Sequence, residues 1–185
     1  MVLVFLAQGF EEIEALATVD VLRRAGLQVV TAGRTPSVCG AHGISVLVDL
    51  EYNDETPLVG LPQAIVLPGG LPGTEHLRAD AFVNRCLDGA GEDTLLCAIC
   101  AAPSVLGMKG LLRGYRATCY PGYEEQLLGA TVTGASVESD RNRITAKGAG
   151  VSIPFALAIV EKLVSKETAD TLGDAMQCRL VTSDN

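Results

Sequence analysis

VLVFLAQGFEEIEALATVDVLRRAGLQVVTA, running from Val2 to Ala32, reads as three elements in succession. Residues 2–7 form a continuous apolar run, the pattern of a strand buried on both faces. Gly9 breaks it. Residues 11–25 then carry Ile13, Leu16, Ala17, Val21 and Leu22 at helical spacing, with acidic side chains in the first turn and Gly26 placed to stop the helix. Residues 27–32 are a second apolar run. Strand, helix and strand within about thirty residues make a βαβ unit, which predicts an α/β fold with a doubly wound, mostly parallel sheet and helices on both faces.

The rest of the chain continues that alternation. Residues 33–43 read as a polar turn region, 44–50 as an alternating strand in a hairpin or edge position, and 52–62 as loop. Residues 63–67 form a short buried strand that ends in Pro68-Gly69-Gly70-Leu71-Pro72-Gly73, and a helix is predicted over 74–87. Another strand, 94–99, leads through Cys100 into a helix that begins near Pro103 and runs to about 112. Residues 116–119 suit a brief strand and 123–128 a short helix. Strands at 131–138 and 143–147 flank the polar turn Ser139-Asp140-Arg141-Asn142, and helices over 151–164 and 166–176 close the pattern. No repeat or linker interrupts it, so residues 1–185 are expected to form a single domain.

Composition narrows the function. The 14 basic residues face 22 acidic ones, for a net charge of -8, and no basic cluster exceeds Arg23-Arg24. A nucleic-acid backbone therefore finds no electrostatic footprint. No apolar stretch approaches membrane-spanning length, and residues 1–7 lack the basic flank of a signal peptide, so a cytoplasmic protein without membrane contacts is expected. Six cysteines, at 39, 86, 97, 100, 119 and 178, sit in a chain large enough to need no staples and are read as thiols. Cys97 and Cys100 have thioredoxin-like spacing, but residues three apart on a strand lie on opposite faces, about 10 Å apart. No metal is expected: no second cysteine pair has finger spacing, and His42 and His76 look isolated. Nor does the Gly69-Gly70 pair fit a nucleotide-binding pattern, so no cofactor is expected.

In open α/β sheets ligands bind beyond the carboxyl ends of the strands. Three loops qualify: 8–14, the Gly69-Gly70 loop, and the corner at Cys100. The corner resembles a nucleophile elbow, with Ala98, Ala101 and Ala102 supplying the small neighbours such a turn demands. A thiol at the start of a helix is biased toward thiolate, although a buried structural cysteine satisfies the same pattern. Gly69-Gly70 leaves backbone N–H groups open to an anion. Glu11 and Glu12 are explained as helix N-terminal charge, whereas Glu14, with Ile13 and Ala17 on the buried face, can lean toward the strand ends. A Glu14 carboxyl there needs a raised pKa to favour a neighbouring thiolate, so the expectation is a raised Glu14 and a depressed Cys100.

Gly9-Phe10-Glu11-Glu12-Ile13-Glu14, Asp20-Val21-Leu22-Arg23-Arg24-Ala25-Gly26, Val66-Leu67-Pro68-Gly69-Gly70, Ala98-Ile99-Cys100-Ala101-Ala102-Pro103 and Phe155-Ala156-Leu157-Ala158-Ile159-Val160-Glu161 together resemble the ThiJ/PfpI superfamily, in the branch of the Parkinsonism-associated protein deglycase and its bacterial relatives. The resemblance implies a flavodoxin-like, class I glutamine amidotransferase-like homodimer, with Cys100 as an oxidisable nucleophile, Glu14 as its protonated partner, and the N–H groups of Gly70 and Ala101 as an anion cradle. Tyr120, Gly69 and Arg24 become candidate substrate contacts. Two functions follow from it. One is glyoxalase or deglycase chemistry on a small 2-oxoaldehyde or a glycated protein, without a cofactor. The other is a redox sensor or chaperone in which Cys100 oxidises to sulfinate. Cysteine peptidase or amidotransferase chemistry is disfavoured, because Ala101 stands where hydrolase members carry histidine and Tyr120 where the animal deglycase does. His42 falls near a position where relatives carry an arginine.

Overall fold

The computed structural model describes residues 1–58 and 60–178. Its strands and helices in chain order are β1 (Val2–Phe5), α1 (Glu12–Arg24), β2 (Val29–Gly33), β3 (Ser37–Cys39), β4 (Ser45–Leu47), β5 (Leu50–Glu51), β6 (Ala64–Leu67), α2 (Gly73–Ala79), α3 (Ala81–Asp88), β7 (Leu95–Ile99), α4 (Pro103–Met108), β8 (Arg116–Ala117), β9 (Thr131–Val132), β10 (Val137–Asp140), β11 (Arg143–Ala146), α5 (Ser152–Leu163) and α6 (Lys166–Ala175).

Seven strands form the central sheet in the order β10-β11-β7-β6-β1-β2-β5. Every pair is parallel except β10 with β11. The inner strands are apolar because both of their faces are covered. Val2, Val4 and Leu6 point into a core shared with α1, α5 and α6, which also takes Cys97, Ile99, Ile144, Phe155 and Ile159. Leu3 and Phe5 point into the opposite core with Ile65, Leu67, Leu96, Val105 and Leu106. Phe5, Tyr52 and Phe82 stack edge-on and face-on within that second layer. The chain leaves β1 toward β2 on one side, while β6 lies on the other. This reversal opens a crevice at the carboxyl ends of β1 and β6, next to β7.

Several expectations change in three dimensions. The helix predicted over 74–87 is two helices, because Asp80 takes an extended backbone and its Oδ1 accepts the N–H groups of Phe82 and Val83 at 2.9 and 3.1 Å, capping α3. The turn region 33–43 contains β3, which forms a hairpin with β4, while β5 separately extends the edge of the sheet beside β2. The strand predicted over 131–138 divides into β9, paired with β8, and β10, paired with β11. Gly134, at φ 67°, turns the chain between them. Ile13 is 58% exposed, while Glu12 and Glu14 are buried. The apolar residue faces out and the two acids face in, the reverse of the hydrophobic pattern. Among the described residues no helix is long and apolar enough to cross a membrane.

Candidate active site

Cys100 follows directly on β7 and has φ 64°, a left-handed backbone that a non-glycine residue holds only when its surroundings impose it. Here they do. The Cys100 N–H donates to Ala146 O at the end of β11 (2.9 Å), and the Cys100 carbonyl accepts the Tyr120 N–H (2.7 Å), so both peptide groups are pinned from outside the turn. Ala102 N–H closes the turn onto Ile99 O at 3.0 Å. The elbow therefore occupies residues 100–102, and α4 begins only at Pro103. Because the chain leaves the strand at this corner, Cys100 packs against the same core as Cys97, not on the opposite face. Both remain free thiols.

Glu14 enters from the first turn of α1 and is 1% exposed. Its Oε2 accepts the Gly69 N–H at 2.8 Å. Its Oε1 has no partner of hydrogen-bond geometry and is left to the neighbouring Cys100 thiol, with which the carboxyl interacts. Gly69 is the reason the two can meet. A Cβ on it would lie 2.6 Å from Cys100 Cβ and 2.8 Å from Glu14 Oε2, so any other residue there would force the pair apart. Gly70, at φ 90°, turns its N–H toward the Cys100 sulfur, and Ala101 N–H faces the same atom. Two backbone donors converging on one sulfur form a cradle for negative charge.

Electrostatics tie the pair together. Burial is the main cause that raises Glu14 from 4.5 to about 7, opposed by the Gly69 N–H and by Cys100, with a further push upward from the Glu11 charge. The raised carboxyl agrees with expectation; the depressed thiol does not. Burial pushes Cys100 up to about 12, helped by the charge and hydrogen bond of an ionised Glu14, and the N–H groups of Ala101 and Gly70 recover only part of this. A protonated Glu14 reverses the sign of its own contribution, because a neutral carboxyl can donate to the sulfur. The two groups thus titrate as a unit, and the thiolate is favoured when Glu14 holds the proton.

Around Cys100 the structure assembles Glu14, Gly69, Gly70 and Ala101, with Tyr120 half-exposed at the mouth. Arg24 is not among them. It sits on the last turn of α1, roughly 15 Å along the helix from Glu14, paired with Asp20 at 2.7 Å. His42 is not isolated: its Nδ1 is 3.0 Å from Glu12 Oε2 and 3.4 Å from Glu11 Oε2. Glu12 Oε1 also accepts the backbone N–H groups of His42 and Ile44, at 2.7 and 3.3 Å. Burial alone would raise the Glu12 pKa, but these contacts hold it below the usual value, and in return they raise His42. Glu12 thus fastens the β3–β4 hairpin to the rim of the site. The three side chains place ligand atoms within 4.8 Å of one another, a potential metal cluster that the sequence spacing concealed.

The loop after β11 was not singled out from the sequence, although it repeats the pattern of the other strand-end loops. Gly148 would carry a Cβ 3.4 Å from Tyr120 Cδ2 and 4.0 Å from Cys100 Sγ. With Tyr120, Pro121, Lys147, Ala149, Gly150 and Val151 it lines an open cleft of about 380 Å³ beside the thiol. The glycines after a strand were the available signal. A slightly larger cleft, about 410 Å³, opens beside Arg34, Tyr52 and Asp80, but these groups satisfy one another: Asp80 Oδ2 accepts Arg34 Nε at 2.5 Å and Tyr52 Oη at 3.0 Å.

Comparison with known proteins agrees with the fold. Residues 1–162 match the family model described as the DJ-1/PfpI family. Protein DJ-1 homolog A of Arabidopsis thaliana is 38% identical over 184 residues, covering 96% of this chain and 46% of the plant protein. The chain spans about half the length, or less, of the plant relatives it matches. A Caenorhabditis elegans protein named glutathione-independent glyoxalase DJR-1.2 is 34% identical over 166 residues, covering 88% of this chain and 87% of the nematode protein. The solved structure of oxidized Toxoplasma gondii DJ-1 superimposes with a TM-score of 0.86 at 34% identity, covering 95% of this chain and 97% of that one.

Proposed function

This chain belongs to the DJ-1/PfpI family, and from that premise we propose that it is a cofactor-independent enzyme of glyoxalase or deglycase type, acting on small 2-oxoaldehydes or on their adducts with protein amines. The observation that carries the reading is the Cys100 sulfur held between a buried, high-pKa Glu14 and two converging N–H groups. The name of the nematode relative supports the same chemistry.

On a 2-oxoaldehyde the steps balance without an external oxidant. Glu14 takes the thiol proton as Cys100 Sγ bonds to the aldehyde carbon, and the Gly70 and Ala101 N–H groups hold the resulting oxyanion. Glu14 returns that proton to the oxyanion, giving a hemithioacetal, and as a carboxylate then carries the proton of the same carbon to the adjacent ketone carbon while the hydroxyl proton passes to the ketone oxygen, so the first carbon is oxidised and the second reduced within one molecule. The product is a 2-hydroxy thioester. Water then cleaves the C–S bond, releasing a 2-hydroxy acid and returning the thiol. Tyr120 positions substrate at the mouth through its hydroxyl, which can donate and accept a hydrogen bond. In this reading the protein is a homodimer, supported by the exposed apolar Ile13 and Ile44 beside the rim of the site.

The test is turnover of methylglyoxal to lactate by purified protein. Turnover that is lost in Cys100→Ser is the expected result. A protein that binds but never turns over methylglyoxal overturns it and favours the second reading, a sensor whose Cys100 advances to sulfinate. The oxidized state of the Toxoplasma relative supports that alternative.

A further inference from the structure

The cleft beside Cys100 is lined by a lysine with no ion-pair partner among the described residues. Lys147 follows directly on β11, its backbone N–H is tied to Ser136 O at 3.0 Å, and the residue lines the open cleft with Tyr120 and Gly148. Its ammonium has no ion-pair partner among the described residues. Many of the other basic side chains of this acidic chain are ion-paired: Arg23 with Asp49, Arg24 with Asp20, Arg34 with Asp54 and Asp80, Lys109 with Asp88, Arg116 with Glu138, Arg141 with Asp140, and Lys166 with Asp170. The other ionisable groups near the rim are already committed. Glu11 and Glu12 face His42, and Glu14 is buried against Gly69.

Distance makes the cation relevant to the chemistry. The Gly148 Cβ position is 4.0 Å from Cys100 Sγ, consecutive Cα atoms are about 3.8 Å apart, and a lysine stem carries its ammonium roughly 6 Å from its own Cα. A ligand joined to Sγ through its first carbon therefore reaches Lys147 with a group a few bonds farther along. An ammonium at that distance is a point charge suited to an anion and indifferent to its exact geometry.

We propose that Lys147 is a specificity residue that selects substrates carrying a negatively charged group, so that the substrates of Cys100 are anionic 2-oxoaldehydes in preference to neutral ones. This rests on the reading of Cys100 as the nucleophile that takes the aldehyde. Lys147 lines an open cleft, where a single screened contact changes specificity by about twofold to fivefold.

Two matched pairs of probes test it on the full-length protein, its Lys147→Met variant and its Lys147→Arg variant. The first pair is iodoacetate against iodoacetamide, with alkylation of Cys100 followed by peptide mass spectrometry; these differ in charge and hardly in shape. The second is 4-carboxyphenylglyoxal against phenylglyoxal, read as kcat/KM. The expected result is an anionic-to-neutral ratio that falls about twofold to fivefold in Lys147→Met, is retained in Lys147→Arg, and shrinks at high salt. The fall in the glyoxal ratio should lie in KM. Ratios that are the same in wild type and Lys147→Met overturn the proposal. If the alkylation ratio moves but neither glyoxal is turned over, the enzymatic reading fails while the anion subsite stands. If both glyoxals are turned over with unmoved ratios, the subsite fails and the enzymatic reading stands.

Discussion

Replacing Glu14 by Gln separates the charge of this carboxyl from its shape. A glutamine Oε1 can accept the Gly69 N–H that Glu14 Oε2 now accepts at 2.8 Å, and its amide NH2 falls where the other carboxyl oxygen lacks a partner. Nothing is left unpaired, and a donor is turned toward Cys100. The folded protein holds Glu14 at about 7 against 4.5 for the free group. A carboxyl raised in this way contributes stability that is fully present below pH 4.5 and is lost as pH rises through 7. At about 1.4 kcal/mol per pH unit the loss comes to about 3 kcal/mol. Glu14→Gln should therefore match wild type in acid and exceed it by up to about 3 kcal/mol above pH 8. Chemical denaturation at a series of pH values measures the difference directly, since groups elsewhere cancel. The same substitution removes the negative charge and hydrogen bond that help push Cys100 up to about 12. Its alkylation profile should move to lower pH, while turnover falls for want of a proton carrier. A variant less stable than wild type at high pH, or a Cys100 profile that does not move, refutes the account of the pair as charge-coupled.

Two further outcomes follow from the same geometry. Gly69→Ala drives a methyl group between Cys100 Cβ and Glu14 Oε2, at 2.6 and 2.8 Å; it should cost about 1–3 kcal/mol of stability and separate the pair, which thermal unfolding and Cys100 alkylation will register. The Glu12–His42 contact should hold the β3–β4 hairpin most tightly between about pH 5 and 6.5. The lowered Glu12 loses its contribution as pH falls below its reference of 4.5, and the raised His42 keeps its full contribution only below 6.5, losing it as pH climbs through its folded value. Amide-exchange protection of Ile44, corrected for intrinsic rate, checks this; protection that is flat with pH, or unchanged in His42→Ala, contradicts it.

Much of the fold could be read locally. A continuous apolar run signals a parallel strand because both faces are covered, and the 3.6-residue spacing from Leu16 to Leu22 marks α1 because one helical face packs inward. The turn chemistry of Gly69-Gly70 and the small residues around Cys100 marked the strand-end loops, because tight backbone turns tolerate little else. The breaks came where a single side chain redirects the backbone. Asp80 splits a continuous helical pattern by capping α3, and a cap shows only when its N–H partners are in place.

At the site itself the sequence determined which chemistry was present: one cysteine at an elbow, one acid in the right turn of α1, and glycines to let them approach. Only the tertiary structure decided how these groups affect one another. Hydrophobic patterning put Ile13 inward, yet it is Glu12 and Glu14 that are buried, because backbone N–H groups from outside α1 meet both carboxyls, His42 of the β3–β4 hairpin at Glu12 and Gly69 after β6 at Glu14. Helix position alone predicted an acidic thiol, but burial and a charged neighbour outweigh the backbone donors and raise it. Gly148 reaches Cys100 because β11 lies beside β7 in the sheet, across more than forty residues of chain. Strand order depends on how the whole set of apolar faces is buried together, and no local run of residues contains that information.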